Sequence, residues 1–207
     1  MTPDVRVRPA RADDVADLLT ICLQTGDAGR DASSLHSDPE LLGRVWAVPY
    51  LDLEPAHAFV ATVDGTVVGY VLGTPDTRVF EDRAERLYWP QLRLRYPLGP
   101  VTGRTAADED LVALVHAPPT APAAVVERWP GHLHVDLLPS AQGYGLGRRL
   151  VGRVRGSLAR DGCSGIHVGV DPHNEAALGF YRHLGFADLP ATPGVAYLGV
   201  QMPPGRE

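Results

Sequence analysis

Lysine is absent from this chain of 207 residues, whose 19 basic residues are therefore all arginine. With 25 acidic residues, the net charge is −6 at pH 7. Nucleic-acid binding depends on basic residues that neutralise phosphates, so an acidic chain without a basic cluster is not expected to bind nucleic acid. The same charge is compatible with a cationic substrate.

Cysteine is also scarce, since only Cys22 and Cys163 are present. They lie far apart and outside any metal-binding spacing, which argues against a disulfide framework or a zinc site. We expect both to be small, buried, apolar residues. The apolar runs stop well short of the roughly 18 residues of a membrane helix, and the first residues lack a signal-peptide pattern. The sequence therefore predicts a cytoplasmic protein without a membrane partner.

The overall composition is that of an ordinary globular protein, with 44% hydrophobic and 21% charged residues. Domains usually run to about 100–200 residues. We therefore expect one domain over residues 1–207.

The segment before residue 76 predicts strands and helices in a mixed order. The predicted elements are a strand at Val5–Arg8, a helix over Val15–Leu23, a helix after Ser37, and a hairpin of Ala58–Val63 with Thr66–Leu72. Ser37 is predicted to cap the second helix, because Asp-Pro-Glu follows it directly. Asp64-Gly65 suits the positive φ angles of a type I′ hairpin turn.

Residues 76–131 predict a long, mainly helical insertion that covers one side of a sheet. Helical spacing occurs around Phe80–Leu94 and Ala106–Val115, and a proline-rich link follows at Pro118–Pro122. The chain then predicts a strand at His132–Leu138, a helix opened by Gly143–Gly147, a strand at Gly165–Val170, a helix over Asn174–Leu184, and short strands near Ala187–Leu189 and Val195–Val200.

Residues 142–147 form a glycine-rich turn, Gln-Gly-Tyr-Gly-Leu-Gly, directly after a predicted strand. Glycine lets the backbone come close to a ligand. The free N–H groups and positive dipole end of the following helix would bind a pyrophosphate. The alternative is a tight turn that binds no ligand, which would need the same glycines. A dinucleotide-binding fingerprint should follow the first strand of a βαβ unit, whereas this turn lies late in the chain.

Two motifs together resemble those of the GCN5-related N-acetyltransferase (GNAT) superfamily. Gln-x-x-Gly-x-Gly over residues 142–147 is similar to its pyrophosphate loop, and Asn-Glu-Ala-Ala-Leu-Gly-Phe-Tyr-Arg-His-Leu-Gly-Phe over residues 174–186 is similar to its helix beside pantetheine. The resemblance implies an α/β fold, with a mixed, mostly antiparallel central sheet of about seven strands flanked by helices. The long insertion would lie between strands 3 and 4. Acetyl-coenzyme A would be the co-substrate.

The resemblance also implies a set of cofactor-binding residues, which are Leu137, Leu138, Gln142, Gly143, Tyr144, Gly145, Leu146, Gly147, Arg148, Asn174, Ala177, Phe180, Tyr181 and Arg182. Asn174 would hydrogen-bond the pantetheine arm, although a plain helix N-cap explains it comparably well. Tyr181 shares the Asn174 helix face and would act as general acid towards the departing thiolate. The alternative for Tyr181 is an interior aromatic residue. The N–H of Leu138 would polarise the thioester carbonyl.

Direct acetyl transfer also needs a group that receives the amine proton. His132, His134 and Asp136 share one face of their strand. The other face carries Leu133, Val135 and Leu137, which we expect to point to the core. We choose Asp136 as the second catalytic residue, accepting the proton directly or through water, or anchoring a cationic substrate. A solvated strand face and a row of three metal ligands are the alternatives, and no metal is predicted.

Further residues are similar to the acetyltransferase-like C-terminal domain of animal O-GlcNAc hydrolases. They include Gly-Tyr-Val-Leu-Gly-Thr over 69–74, Trp89-Pro90, Tyr96-Pro97 and Asp-Pro-Glu-Leu-Leu-Gly over 38–43. This likeness keeps two functions open, an N-acetyltransferase acting on a small-molecule or peptide amine and a non-catalytic acetyl-CoA-binding or protein-interaction module. Trp89, Tyr88, Trp129 and Glu81 or Asp82 would shape the acceptor pocket. A homodimer is compatible with the sequence, which carries no signal for or against it.

Overall fold

A computed structural model describes residues 2–141, 143–190 and 192–202. Within these residues, seven strands form one sheet. They are β1 (Val5–Pro9), β2 (Phe59–Val63), β3 (Thr66–Thr74), β4 (Gly131–Leu137), β5 (Gly165–Val170), β6 (Ala187–Asp188) and β7 (Ala196–Gln201). The sheet order is β1-β2-β3-β4-β5-β7-β6, and every neighbouring pair except β4 and β5 is antiparallel. The predicted fold class is thus confirmed.

Helices flank both faces of the sheet. In the described residues they are α1 (Val15–Thr25), α2 (Leu41–Trp46), α3 (Val48–Leu53), α4 (Thr77–Leu87), α5 (Trp89–Arg95), α6 (Ala106–His116), α7 (Ala123–Val126), α8 (Leu146–Arg160) and α9 (Glu175–His183). Helices α4 to α7 lie between β3 and β4, in the segment predicted as mainly helical. None of the described helices is long and apolar enough to cross a membrane.

The predicted hairpin is present as β2 and β3. Val63 pairs with Thr66, and the turn between them has φ of 50° at Asp64 and 85° at Gly65. These are the two positive angles that a type I′ turn requires. The local signal was therefore sufficient for this element.

One prediction about the helices was wrong in detail. Helix α2 begins at Leu41 with Glu40 as its N-cap, and Ser37 instead donates its N–H and its hydroxyl to the buried Asp108 carboxylate. The helical spacing around Phe80–Leu94 belongs to two helices, α4 and α5, and Pro90 lies in the first turn of α5, where its missing N–H is tolerated.

The alternation along β4 separates two hydrophobic layers. Leu133, Val135 and Leu137 face the layer built on α8 and α9. His132, His134 and Asp136 point to the opposite face, where α1, α3 and α4 pack together with Tyr70 of β3. The apolar set of β4 faces a core, as predicted, but the polar set is also covered by helices.

Strands β4 and β5 are paired only over a short distance. Their parallel pairing comprises Gly131 with Ile166 and His132 with His167. Beyond this point β4 continues to Leu137 and β5 to Val170 without pairing each other. The result is a wedge-shaped gap in the sheet, whose two edges carry backbone groups that no neighbouring strand uses.

Candidate active site

The glycine turn lies just beyond the open end of this wedge. Gly143 and Gly145 have φ of 83° and 65°, a left-handed conformation that favours glycine. Gly145 is the N-cap of α8 and has no side chain to cap it, so the first N–H groups of α8 are left for water or a ligand. A Cβ added at either glycine would meet nothing within 4 Å. The turn therefore leaves open space beside these N–H groups, and Gln142 lies outside the described residues.

Gly147 has a different role, because a Cβ there would approach the Phe180 ring to 2.9 Å. This glycine lets α8 pack closely against α9. The side chains beside the turn are polar: Arg148 contacts His183 at 2.7 Å between Nη2 and Nε2, and Tyr144 is exposed. Arg182 forms an exposed ion pair with Asp188.

Asn174 is the N-cap of α9. Its Oδ1 accepts the Ala177 N–H at 3.0 Å, so the plain N-cap accounts for its oxygen. The side-chain NH₂ group of Asn174 remains able to donate to a ligand.

Tyr181 lies near the end of α9 with its side chain directed into the layer below the sheet. Its ring is 6% exposed and makes edge contacts with Phe180 and Phe186, with centroids 5.3 and 5.2 Å away. No partner for its hydroxyl is found in the described part of the chain. Burial raises the pKa of Tyr181 well above its ordinary value, and the Asp136 charge raises it further. Both sequence interpretations are thus compatible with this position, and the hydroxyl keeps its proton at neutral pH.

The polar face of β4 forms a hydrogen-bonded cluster. Tyr70 donates its hydroxyl proton to Asp136 Oδ2 at 2.5 Å and contacts His134 Nε2 at 3.0 Å. His134 Nε2 lies 3.1 Å from the same carboxylate oxygen. The side chains of His134 and Asp136 are 30% and 19% exposed. The face is therefore only partly solvated, in contrast to the solvated-face alternative, and His134 lines the cavity described below.

The charges of this cluster depend on each other. Burial alone would lower the pKa of His134, but the neighbouring Asp136 carboxylate outweighs it and raises the pKa to about 10. For Asp136, burial raises the pKa, but the His134 charge and the hydrogen bonds outweigh it, so the pKa lies below the ordinary value. At neutral pH the two residues form an ion pair.

His132 is fully occupied by the fold. The Thr77 hydroxyl donates its proton to Pro130 O. The same hydroxyl oxygen therefore accepts the N–H of His132 Nδ1, at 2.8 Å. Tyr50 then donates to His132 Nε2 at 2.7 Å. Burial lowers the pKa of His132 to about 3, so the ring is neutral. A row of three metal ligands on β4 does not form, because both nitrogens of His132 are engaged.

Three residues near this face were missed by sequence reasoning. Tyr70 lies within an apolar strand, and Cys22 lies on α1, where its Sγ falls within 4.8 Å of ligand atoms of His134 and Asp136. Cys22 is buried in an apolar core as predicted, but its Sγ lies beside these two polar side chains. His167 of β5 donates from Nδ1 to Trp129 O at 2.8 Å, and burial lowers its pKa. No local pattern marks these residues, because the sheet brings them together.

A cavity of about 990 Å³ opens on the same face, where β4 and β5 separate. Glu81, Asp82 and Trp89 line it, which is compatible with the acceptor pocket expected from the sequence. Tyr88 and Trp129 are not among the described lining residues. The Tyr88 hydroxyl donates to Arg44 O, and the Trp129 ring packs against the backbone at Gly165 and Gly199.

The predicted oxyanion donor is also wrong. The Leu138 N–H donates to Val68 O at 2.9 Å and therefore points towards β3. Successive N–H groups of a strand point to opposite edges. The N–H groups of Val135 and Leu137 are thus directed towards β5, into the wedge where the pairing has ended.

The ion pair leads to a prediction about pH. In Asp136→Asn the carboxylate charge is lost and burial dominates, so His134 should be neutral at pH 7, whereas in the wild type it should stay protonated up to about pH 10. Histidine NMR titration would measure both states. The raised pKa also contributes stability that is complete below the ordinary value of 6.5 and is lost as pH rises through about 10. A wild-type His134 that titrates near 6.5 would contradict this prediction.

Comparisons with known proteins agree with this architecture. The model of the acetyltransferase (GNAT) family matches residues 30–186. Protein O-GlcNAcase from Rattus norvegicus and from Mus musculus are each 23% identical over 199 residues, which is 94% of this chain but only 22% of each relative. The chain thus spans about a fifth of the length of these curated relatives.

Solved structures are also similar to this chain. The crystal structure of SsHAT is 38% identical, has a TM-score of 0.90, and covers 97% of this chain and 100% of its own. The structure of yncA from Salmonella typhimurium, a putative acetyltransferase with its cofactor acetyl-CoA, has a TM-score of 0.55 at 16% identity and covers 96% of this chain and 94% of its own. The second likeness shows the fold alone.

Proposed function

Because the chain belongs to the acetyltransferase (GNAT) family, we propose that it transfers the acetyl group of acetyl-coenzyme A directly to a primary amine of a small molecule or protein. One observation carries this proposal: the unpaired edge of β4 runs along the wedge between the glycine turn and the cavity. A cofactor bound along this edge would have its diphosphate at one end and its acetyl group at the other.

In this arrangement, backbone groups do most of the cofactor binding. The first N–H groups of α8 would hold the diphosphate, helped by the helix dipole. Asn174 and the neighbouring face of α9 would lie beside the pantetheine arm. We assign the N–H groups of Val135 and Leu137 as the donors that polarise the thioester carbonyl, because they point into the wedge. Preorganised donors of this kind stabilise the oxyanion that forms during acyl transfer.

The reaction forms the C–N bond and breaks the C–S bond of the thioester. We assign Tyr181 as the acid that protonates the departing thiolate, because its hydroxyl keeps its proton at neutral pH and has no partner among the described residues. We assign Asp136 as the carboxylate that receives the proton of the amine, directly or through water. The His134 charge keeps Asp136 ionised before the amine binds.

Calorimetry with acetyl-CoA tests the cofactor site. We expect Gly145→Ala to weaken binding about tenfold, because a Cβ at φ 65° strains the turn and intrudes on the amides that would meet phosphate. Gly103→Ala is the matched control, since Gly103 has φ of 88°, open surroundings and a position outside the site. No heat of binding to the wild type would contradict the proposed function.

The second candidate is a non-catalytic module that binds acetyl-CoA or a protein partner. The similarity to protein O-GlcNAcase over 94% of the chain favours it. Release of free thiol from acetyl-CoA in an amine panel separates the candidates, because only the enzyme produces it.

We propose a cytoplasmic location, where thiols stay reduced, since both cysteines are free. Size-exclusion chromatography with light scattering would test for a homodimer.

A further inference from the structure

We infer that the acetyl acceptor is a monoamine with an aromatic or bulky apolar body, and not a polyamine or a guanidino amine. This inference rests on the proposed function and concerns the cavity beside β4 and β5. It follows from two properties of the cavity wall, its aromatic surface and the pairing of its carboxylates.

The aromatic surface comes from several separate elements. Trp46 of α2, Tyr50 of α3, Phe80 of α4, Trp89 of α5 and Tyr197 of β7 all line the cavity. Tyr50 and Phe80 are stacked, with ring centroids 4.5 Å apart. Aromatic side chains provide large apolar contact areas and favour edge or offset contacts with another ring. Such a wall suits an apolar or aromatic ligand.

Two carboxylates of the wall are held by arginines of the wall itself. Glu81 accepts from Arg78 Nη1 at 2.6 Å and from the Ala121 N–H at 2.8 Å. The two carboxylate oxygens of Glu85 accept hydrogen bonds from Nη1 and Nη2 of Arg93, at 2.6 and 2.8 Å. The bidentate contact uses both oxygens of Glu85, which makes it a poor partner for a second cation.

The two remaining acidic residues of the wall are exposed and contact residues outside the wall. Asp82 forms an ion pair with Arg86, and Asp171 contacts the His173 ring, with 2.9 Å between Oδ1 and Nδ1. Two histidines that line the cavity do not leave an unpaired positive charge there. Burial lowers the pKa of His167, and the charge of His134 is paired with the Asp136 carboxylate. Each carboxylate among the described lining residues therefore already has a partner.

This pairing determines which amines bind well. A polyamine or guanidino amine brings a second cation, which would lose water without meeting an unpaired carboxylate. A monoamine with an aromatic body brings only the amine that reacts, and its body gains contact with the aromatic wall. Leaving a charged group unpaired in a site typically gives discrimination on the order of tenfold or more.

Steady-state kinetics with three amines tests the inference. We expect kcat/KM for 2-phenylethylamine to exceed those for agmatine and spermidine at least about tenfold. Binding without the cofactor gives a second readout, because Trp46 and Trp89 lie in the wall and their fluorescence should change on addition of 2-phenylethylamine. Agmatine and spermidine should change it only at much higher concentration.

A variant on the wall gives a sharper test. Arg93→Gln removes the bidentate partner of Glu85 and so frees a carboxylate for a second cation. We expect the ratio of kcat/KM for agmatine to kcat/KM for 2-phenylethylamine to rise about tenfold. Arg95→Gln is the matched control, because Arg95 lies on the same helix and pairs with Glu40 outside the cavity.

The outcomes separate this inference from the proposed function. A wild type that binds agmatine or spermidine more tightly than 2-phenylethylamine, or binds none of the three, would overturn the acceptor class even if acetyl-CoA binds. An Arg93→Gln variant with unchanged agmatine kinetics would overturn the role of the paired carboxylates. Failure of acetyl-CoA to bind would overturn the proposed function and the role of the amine as acetyl acceptor, whereas a preserved binding preference for 2-phenylethylamine would still support the class of amine that the cavity binds.

Discussion

Replacing Tyr181 by phenylalanine is expected to lower kcat at least about 100-fold, while the affinity for acetyl-CoA stays nearly unchanged. The substitution removes only a hydroxyl that has no hydrogen-bond partner among the described residues. The packed ring, with its contacts to Phe180 and Phe186, is retained, so the fold should be preserved. Without the phenol proton, the thiolate would have to leave as a costly anion. Thiol release under saturating substrates measures kcat, and calorimetry measures the affinity.

Tyr88→Phe is the control for this experiment. It removes a tyrosine hydroxyl on the same side of the molecule as the cavity, but this hydroxyl donates to Arg44 O and does not line the cavity. Its kcat should equal that of the wild type. A Tyr181→Phe enzyme with normal kcat would show that water or another group protonates the thiolate, and the assignment of Tyr181 as general acid would be withdrawn.

Replacing Asp108 by alanine is expected to lower the free energy of unfolding by about 3–5 kcal/mol. Asp108 is 1% exposed and joins α6 to the segment before α2. Its carboxylate accepts from His36 Nδ1 at 2.8 Å, from the Ser37 N–H at 2.8 Å and from the Ser37 hydroxyl at 2.5 Å. Alanine would leave the buried His36 ring nitrogen without this partner and would remove both contacts from Ser37. Urea denaturation would measure the loss.

Asp110→Ala is the matched control, since Asp110 is an exposed residue of the same helix. It should change stability by less than about 0.5 kcal/mol. The pKa of Asp108 lies well below its ordinary value of 3.8, because the hydrogen bonds from Ser37 and His36 outweigh burial. Its contribution is therefore complete above pH 3.8 and is lost as pH falls through the lowered pKa. Equal stability of the two variants would contradict this role.

Local patterns were enough for most of the secondary structure. The Asp64-Gly65 turn carried its own conformational requirement, and the alternation of β4 separated its two faces correctly. The sequence indicated an unusual backbone conformation at Gly145, because a glycine-rich turn before a helix usually contains residues with positive φ. Ser37 was misplaced because its hydroxyl has two good partners, a helix end nearby and a carboxylate 71 residues away, and only the second is close in space.

The candidate site was harder to predict than the fold. Leu138 was assigned as an oxyanion donor by resemblance, but the direction of an N–H depends on which neighbouring strand it pairs with, and β3 takes it. Trp129 lies in the helical segment like Trp89, yet it packs on β5 and β7. Whether an aromatic residue lines a cavity or fills a core depends on the helices around it, and spacing alone does not contain that information.

By itself, the sequence determined the kinds of elements, their order, the glycine turn and the family resemblance, because these depend on periodicity and on backbone preferences of neighbouring residues. Only the tertiary structure decided the ion pair of His134 and Asp136, the place of Tyr70 and Cys22 beside it, and the pairing of the cavity carboxylates. Tyr70 and Cys22 come from distant parts of the chain, whereas the paired residues lie only two to eight positions apart. In both cases the fold sets the distances between the side chains and their burial. Charge and pKa change steeply over such distances, so the chemistry of the site could be read only after the chain was folded.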